Sequence, residues 1–568
     1  MQLDYRHARL IRNTLGNEEE SPMNSAPPSL FRTAAVTAML ILSISLGCSG
    51  SSNDSNSPSP SPTPGITSAG VFTYHNDNAR TGQNLQETIL TPANVDPTNF
   101  GKLFSSPVDG RVYAQPLYVP NVNIGGQVHN VIIVATAHNS VYAFDADNPV
   151  SPPLWQTSFI NPPGVTSVPS SDYACNEIQP EMGIISTPVI DPVSGTLYVV
   201  AMTKETGPTY LFRLHALSVK TGAEVGTGHV VIQASVPGTG DGNDGQGHVP
   251  FNAFQHKQRA ALLLSDGTVY IGFAANCDTD PYHGWLFGYD ANSLALLATF
   301  NDTPNGSRGG IWNGGPSADA AGNVFVITGN GTFDGPSPAG NNNLSDSFLR
   351  LAAGTLKLLD FFTPFNQTDL AALDLDLGSS APVLLPDQPG LHPHLMVGGG
   401  KEGRIYLVNR DNMGHFQAGS DNQIVQEVTG QLAFDPSTGS LFTAPAYFNN
   451  TVYFLANHDV LKAFSLINGK LSTSPVSQAT TQFGYPGASP SISANGSNNG
   501  IVWVIENGNT AALHAYSAAN VAIELYNSNT NSARDALGVG VAFTVPTVFK
   551  GKVYVGTENE LSVFGLLP

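Results

Sequence analysis

Charge is scarce in this chain. Of 568 residues only 12% are Asp, Glu, Lys or Arg, about half the share usual in soluble domains. Long surface helices need Glu and Lys in quantity, so an architecture built on them is excluded. Basic residues are the scarcer kind: 23 Lys and Arg stand against 43 Asp and Glu, a formal net charge of −20. No cluster of Lys and Arg stands out. Phosphate backbones bind through such clusters, so nucleic acid is not an expected partner. Cysteine (3) and tryptophan (4) are also few. No Cys-x-x-Cys-His haem attachment and no Gly-x-Ser-x-Gly nucleophile elbow occurs. What the chain has instead is glycine (58) and proline (41). That mixture suits many short strands joined by turns.

The N-terminal region carries an address. Arg32 precedes an apolar run, Ala34 to Leu46, followed by Gly47-Cys48. The run is short for a bilayer span and reads as a secretion signal. Ser45-Leu46-Gly47-Cys48 resembles a bacterial lipobox, whose cysteine is lipidated and becomes the new N-terminus; Ser45 stands where that pattern prefers Leu. Ser49 is compatible with sorting to an outer membrane. The expectation is a chain in the cell envelope, held to the membrane only through a lipid on Cys48. Plain secretion is the alternative. The organisation reads as an extension and signal over 1–47 (with Met23 a candidate start), a Ser/Pro-rich tether over 48–70 and one folded body over 71–568. Setting Cys48 aside leaves Cys175 and Cys277, which an exported protein can keep as one disulfide.

One phrase recurs along the body: a small residue, a proline, an apolar strand, a turn, then a strand with Tyr or Phe. "AQPLYV", "STPVIDPVSGTLYVVAM", "ALLLSDGTVYIGFAA", "GPSADAAGNVFVITGN", "APVLLP", "APAYFNNTVYFLAN", "SPSISANGSNNGIVWVIE" and "VPTVFKGKVYVG" open eight units. Proline starts seven of them, at Pro116, Pro188, Pro316, Pro382, Pro445, Pro490 and Pro546, where no ladder donor is lost. Three clear strands and a weaker fourth per unit predict an all-β, eight-bladed propeller of four-stranded antiparallel blades. The eighth unit lacks its fourth strand, and "NFGKLFSSP" stands unassigned before the first. Pairing Lys102–Ser106 with the C-terminal strand would close the ring and remove both free edges.

The phrase "YAFDADNPVSPPLW" resembles the repeat of pyrroloquinoline-quinone (PQQ) dehydrogenases, Ala-x-Asp-x-x-Thr-Gly-x-x-x-Trp. "HALSVKTGAE", "GYDANSLALL" and "KAFSLINGK" are partial copies. From about residue 71 to 568 the chain is similar to the PQQ-like propeller superfamily, which implies an eight-bladed propeller. That superfamily holds quinone-dependent alcohol and sugar dehydrogenases. It also holds cofactor-free propellers such as an outer-membrane assembly lipoprotein. "PEMGIISTPVIDP", "TPNGSRGGIW" and "YLVNRDNMG" look like envelope proteins with PQQ-like repeats. In the dehydrogenases a calcium ion polarises the quinone and an aspartate acts as base. Their metal-site residues do not carry over by motif, and of the docking tryptophans Trp155 alone fits. Their adjacent-cysteine disulfide has no counterpart either, because Cys175 and Cys277 are far apart in sequence.

In a propeller the turns between a blade's first and second strands lie on one face, and the loops from blade to blade and between second and third strands lie on the other. The first set is short here. The second is long and polar, at 160–185, 234–258, 274–284 and 329–347, and long loops on one face accumulate function. The expected site is a funnel on that face, near blades 2 to 4. Its candidate lining is Glu181, His256, Arg259, His283, Trp285, Arg308, Trp312, Lys401 and Glu402, with Cys175 and Cys277 bridging adjacent loops. "DGNDGQGH" (Asp241–His248) slightly resembles a calcium loop but lacks the later bidentate Glu. The Gly-rich "VGGGKEG" has no helix after it to cradle a phosphate. No metal ligand set is assigned.

The functional expectation is a monomeric, non-catalytic binding or assembly scaffold, its partner an envelope protein or a small polar ligand, with no cofactor. A PQQ- and calcium-dependent dehydrogenase is the alternative. A lyase, hydrolase or glycan binder using the same funnel is the second.

Overall fold

The computed structural model describes residues 69–148, 152–336 and 342–568. The signal, Cys48 and the Ser/Pro tether lie outside the described residues. Eight sheets stand radially around one axis, and blade 1 shows the pattern. Leu117–Ile124, Gln127–Ala135, Ser140–Asp145 and Trp155–Ser158 pair antiparallel in that order from the axis outward. The inner strands of blades 2 to 8 begin at Val189, Leu263, Ser317, Val383, Ala446, Ser491 and Thr547. In seven of the eight a proline immediately precedes the inner strand.

Blade 8 is assembled from both ends of the body. Its first three strands are Thr547–Phe549, Lys552–Gly556 and Glu560–Leu566. Its outermost strand is Phe100–Pro107, antiparallel to Glu560–Leu566, with Lys102 opposite Phe564, Phe104 opposite Val563 and a bulge between them. The blades are apolar on both faces, so the core lies between neighbours. Tyr198, Val200 and Leu214 of blade 2, for example, share one cluster with Val269, Ile271 and Phe287 of blade 3.

A second N-terminal segment does something the repeat does not foretell. Residues Val71 to Asn84 wind around the axis and bond to the inner strand of each blade in turn. Val71 exchanges both main-chain bonds with Tyr118, and the Phe72 carbonyl accepts from the Ile190 N–H. Asn78 donates its amide to the Leu264 carbonyl and accepts at its own carbonyl from Ala318. The carbonyls of Ala79, Thr81 and Gly82 accept from the N–H groups of Leu384, Tyr447 and Ile492, and the Asn84 amide donates to Val548. In every blade the partner is the second residue of the inner strand. The strap turns this tightly through left-handed backbone at His75, Asn76, Arg80 and Gly82. Arg80, fully buried, holds it together, donating to Thr73 Oγ1 and to the carbonyls of Tyr74, Leu262 and Pro316.

Closure has a testable weight. Phe100 is fully buried and packs on Trp503, Tyr526 and Phe564 at ring-centroid distances of 5.5, 4.9 and 6.3 Å. Phe100→Ala should destabilise the protein by about 3–5 kcal/mol, read as a lower urea midpoint. An unchanged midpoint would show that this strand does not carry the closure.

Candidate functional site

The axis opens on the loop face as a cavity of about 550 Å³. Its walls follow from the register. Tyr113, Ile185, Arg259, Phe442 and Phe543 each lie four residues before the first residue of their blade's inner strand, and Trp312 lies five before. Converging strands bring these positions together, one per blade. Two residues nearer the strap, Ala261, Ala381, Ala444 and Val545 cluster with Tyr74 of the strap. Small side chains there let the blades approach, and Tyr74, beside Arg259 in a deeper pocket, floors the cavity.

Four cations line the cavity: Arg111, Lys257, Arg259 and Lys401. Three have anionic partners. Arg111 donates to Glu558 at 2.7 Å. Lys257 is paired with Glu177. Lys401 lies 2.6 Å from Asp376 and 3.1 Å from Asp374; burial alone would lower its pKa, but these two carboxylates raise it. Arg259 is different. Its guanidinium lies 3.6 Å from the centroid of the Phe543 ring and 5.9 Å from that of Tyr113, and among the described residues it makes no ion pair or side-chain hydrogen bond. Desolvation holds it below the usual arginine range. Phe543 itself has φ +72°, an unusual conformation for a bulky residue, which is the kind of local strain that gathers at binding sites.

Cys175 and Cys277 form a disulfide, with Cα atoms 5.6 Å apart. It joins the loop bearing Asn176 and Glu177 to the loop bearing Asp278, all three on the cavity wall. Cys277 and Asp278 both take left-handed backbone, at φ 61° and 45°. Asp278 sits exposed at the mouth.

Of the residues singled out in the sequence, Arg259, Trp312 and Lys401 line the cavity. The other six do not, and each has a local task. Glu181 accepts from His138 Nδ1 at 2.6 Å. His256 is buried, donates from Nδ1 to the Asn252 carbonyl at 2.6 Å and meets the His283 main chain with Nε2; desolvation lowers its pKa to about 4, so the ring is neutral. His283 bonds the Asp241 carbonyl and the Thr303 hydroxyl, both at 2.8 Å, which ties the "DGNDGQGH" loop to blade 3. Trp285 is core, 5.7 Å from Phe251. Arg308 forms a two-pronged pair with Asp280. Glu402 bonds Asn366 and Arg404. Sequence reading missed Tyr113, Glu177, Lys257, Asp278, Asp376, Phe442, Tyr485 and Phe543. The fixed four-residue offset before each inner strand is the signal that finds Tyr113, Phe442 and Phe543.

Another missed residue supports the wall from behind. Asp302, fully buried, accepts from the Gly284 and Gly310 N–H groups, each at 2.8 Å, and so fixes the segment running to Trp312. Burial raises its pKa to about 7 against these hydrogen bonds.

No protein-family model matches the chain, and no curated protein matches it. Solved structures do. A quinohemoprotein alcohol dehydrogenase from Pseudomonas putida HK5 superposes with TM-score 0.58 at 13% identity, covering 88% of this chain and 80% of that one. The quinohemoprotein alcohol dehydrogenase from Comamonas testosteroni gives 0.55 at 16%, over the same shares. A europium-containing methanol dehydrogenase gives 0.57 at 13%, over 88% and 98%. The fold is the PQQ-like eight-bladed propeller. Identities this low establish the PQQ-like architecture alone, and the chemistry of the cavity rests on its own residues.

Two measurements probe this wall. Because folding raises the Asp302 pKa, the folded state binds the extra proton between about pH 4 and 7, and stability falls as pH rises through that window, by at most roughly 1.4 kcal/mol per pH unit from this group. Asp302→Asn should flatten that slope in urea titrations at several pH values; an unaltered slope would place the titration elsewhere. Replacing Cys175 and Cys277 together by Ser should cost about 2–5 kcal/mol of stability while leaving the strand signal in circular dichroism intact. An unchanged urea midpoint would show that the loops hold each other without the bridge.

Proposed function

We propose that the chain is an exported, lipid-anchored propeller that binds a small organic anion with a flat, apolar body in its axial funnel and does not turn it over. The observation that carries this reading is Arg259. Its guanidinium is part-exposed to the cavity and makes no ion pair or side-chain hydrogen bond among the described residues, so its donors are open to a ligand carboxylate, which would supply charge-assisted hydrogen bonds there. Trp312, Phe442, Tyr485 and Phe543 offer flat apolar surface around it, and the cavity volume suits a small molecule. The disulfide supports an oxidising compartment, in keeping with the secretion signal and the lipobox-like Cys48.

The fold raises a second reading, a quinone-dependent dehydrogenase with calcium. Calcium takes six to eight oxygen ligands. The cavity wall carries the carboxylates of Glu177, Asp278 and Asp376, and the first and last already face lysine ammonium groups. Among the described residues no three metal-ligating side chains meet in the cavity. The donor set does not fit calcium.

Calorimetric titration of the purified protein with benzene-1,3,5-tricarboxylate and with PQQ, each with and without calcium, tests both readings. Binding should be independent of calcium and at least tenfold weaker in Arg259→Met, with no dye reduction in the presence of alcohols or sugars. Calcium-dependent PQQ binding with dye reduction would overturn the non-catalytic reading. Equal affinity in Arg259→Met, or no binding of either anion, would overturn the funnel assignment.

A further inference from the structure

The outer wall of blade 2 carries a group of side chains that the funnel does not use. His215 lies on Thr209–Ser218 and is the cross-strand partner of His229 on Glu224–Val231, the outermost strand of the blade. A register shift between His215 and Leu217 brings Glu224 to the same place. One carboxylate oxygen, Glu224 Oε1, accepts from Nδ1 of both imidazoles at 2.8 Å. The three ligating atoms lie within 4.8 Å of one another, the only such group of His, Cys, Asp or Glu among the described residues.

A structural role alone accounts for less than this. Blade 7 repeats the motif: "HALSVKTGAE" (His215 to Glu224) has its counterpart in "HAYSAANVAIE" (His514 to Glu524). There His514 Nδ1 bonds Glu524 at 2.7 Å and Nε2 reaches Glu506 at 3.3 Å, and the ring is fully buried. In blade 7 a single imidazole serves the blade edge, held between two carboxylates. Blade 2 adds a second imidazole to the same oxygen.

We propose that His215, Glu224 and His229 bind one divalent transition-metal ion, zinc foremost, with water in the fourth position. Two nitrogens and a carboxylate oxygen are a donor set zinc takes in tetrahedral sites, whereas calcium takes oxygens alone. Bonds of about 2.0–2.2 Å in a tetrahedron separate ligand atoms by roughly 3.4 Å, slightly wider than the present hydrogen bonds. The side chains of Glu224 and His229 are 38% and 46% exposed and can open by rotation. His215, buried and stacked on Phe159 at 3.9 Å, is the fixed ligand. A bound ion would pin the outermost strand across its register shift.

The test uses the intact protein without a histidine tag. Zinc titrated calorimetrically should bind one to one and raise the melting temperature, and cobalt should give the visible absorption of a tetrahedral complex. His229→Gln, at an exposed position, and Glu224→Gln, which keeps a hydrogen-bond acceptor, should each weaken zinc at least tenfold and abolish the cobalt band while leaving the metal-free melting temperature nearly unchanged. No one-to-one binding, or the same affinity in His229→Gln, would overturn the proposal.

Discussion

Everything on the axis depends on the hydrogen bonds between the strap and the second residue of each inner strand. Where eight strand edges converge, their main-chain groups are shut off from water, and leaving them unpaired costs about 1–3 kcal/mol each. Val71 to Asn84 supplies a partner in every blade, by main chain where the geometry allows and through Asn78 and Asn84 amides where it does not. Fixing one residue of a strand fixes the residues before it. The ring four positions upstream, which includes Tyr113, Arg259, Phe442 and Phe543, is thereby set in height and direction. The funnel is a consequence of the strap.

Low charge makes each pair on that wall count. The body is strongly acidic, so an approaching anion is repelled at long range, and attraction has to come from groups close to it. Three of the four funnel cations are matched by carboxylates, which leaves the local field concentrated at Arg259. The ring of Phe543, pressed on the guanidinium, removes water from one side of it and narrows the directions from which an anion can reach it.

The fold was legible because its signals are local. Alternation within a strand and a short polar turn after it recur eight times, with proline before the strand in seven, and each is read within ten residues. The orphan strand could be placed because the last unit was one strand short. The funnel was only partly legible. Arg259, Trp312 and Lys401 stand beside strand starts, and a polar residue there attracts notice. His256, His283 and Arg308 attracted the same notice, yet they clamp main chain and neighbouring loops, since a polar side chain in a loop serves a carbonyl as readily as a ligand. Phe442 and Phe543 carry no polar mark in the sequence, and only the convergence of different blades turns them toward a common axis. The strap was opaque for a similar reason. "VFTYHNDNARTGQN" has no period of its own, and its partners are spread from Tyr118 to Val548.

Strap and closing strand together have a temporal consequence. Residues 71 to 107 precede all eight blade repeats in the chain, but the strands that complete their bonding, around Val548 and Val563, belong to the last of them. The strap can bond each inner strand as it is made, but the closing strand Phe100–Pro107 has no partner until Glu560–Leu566 follows. The ring closes only when its last blade is complete, so closure is a late, long-range event of folding.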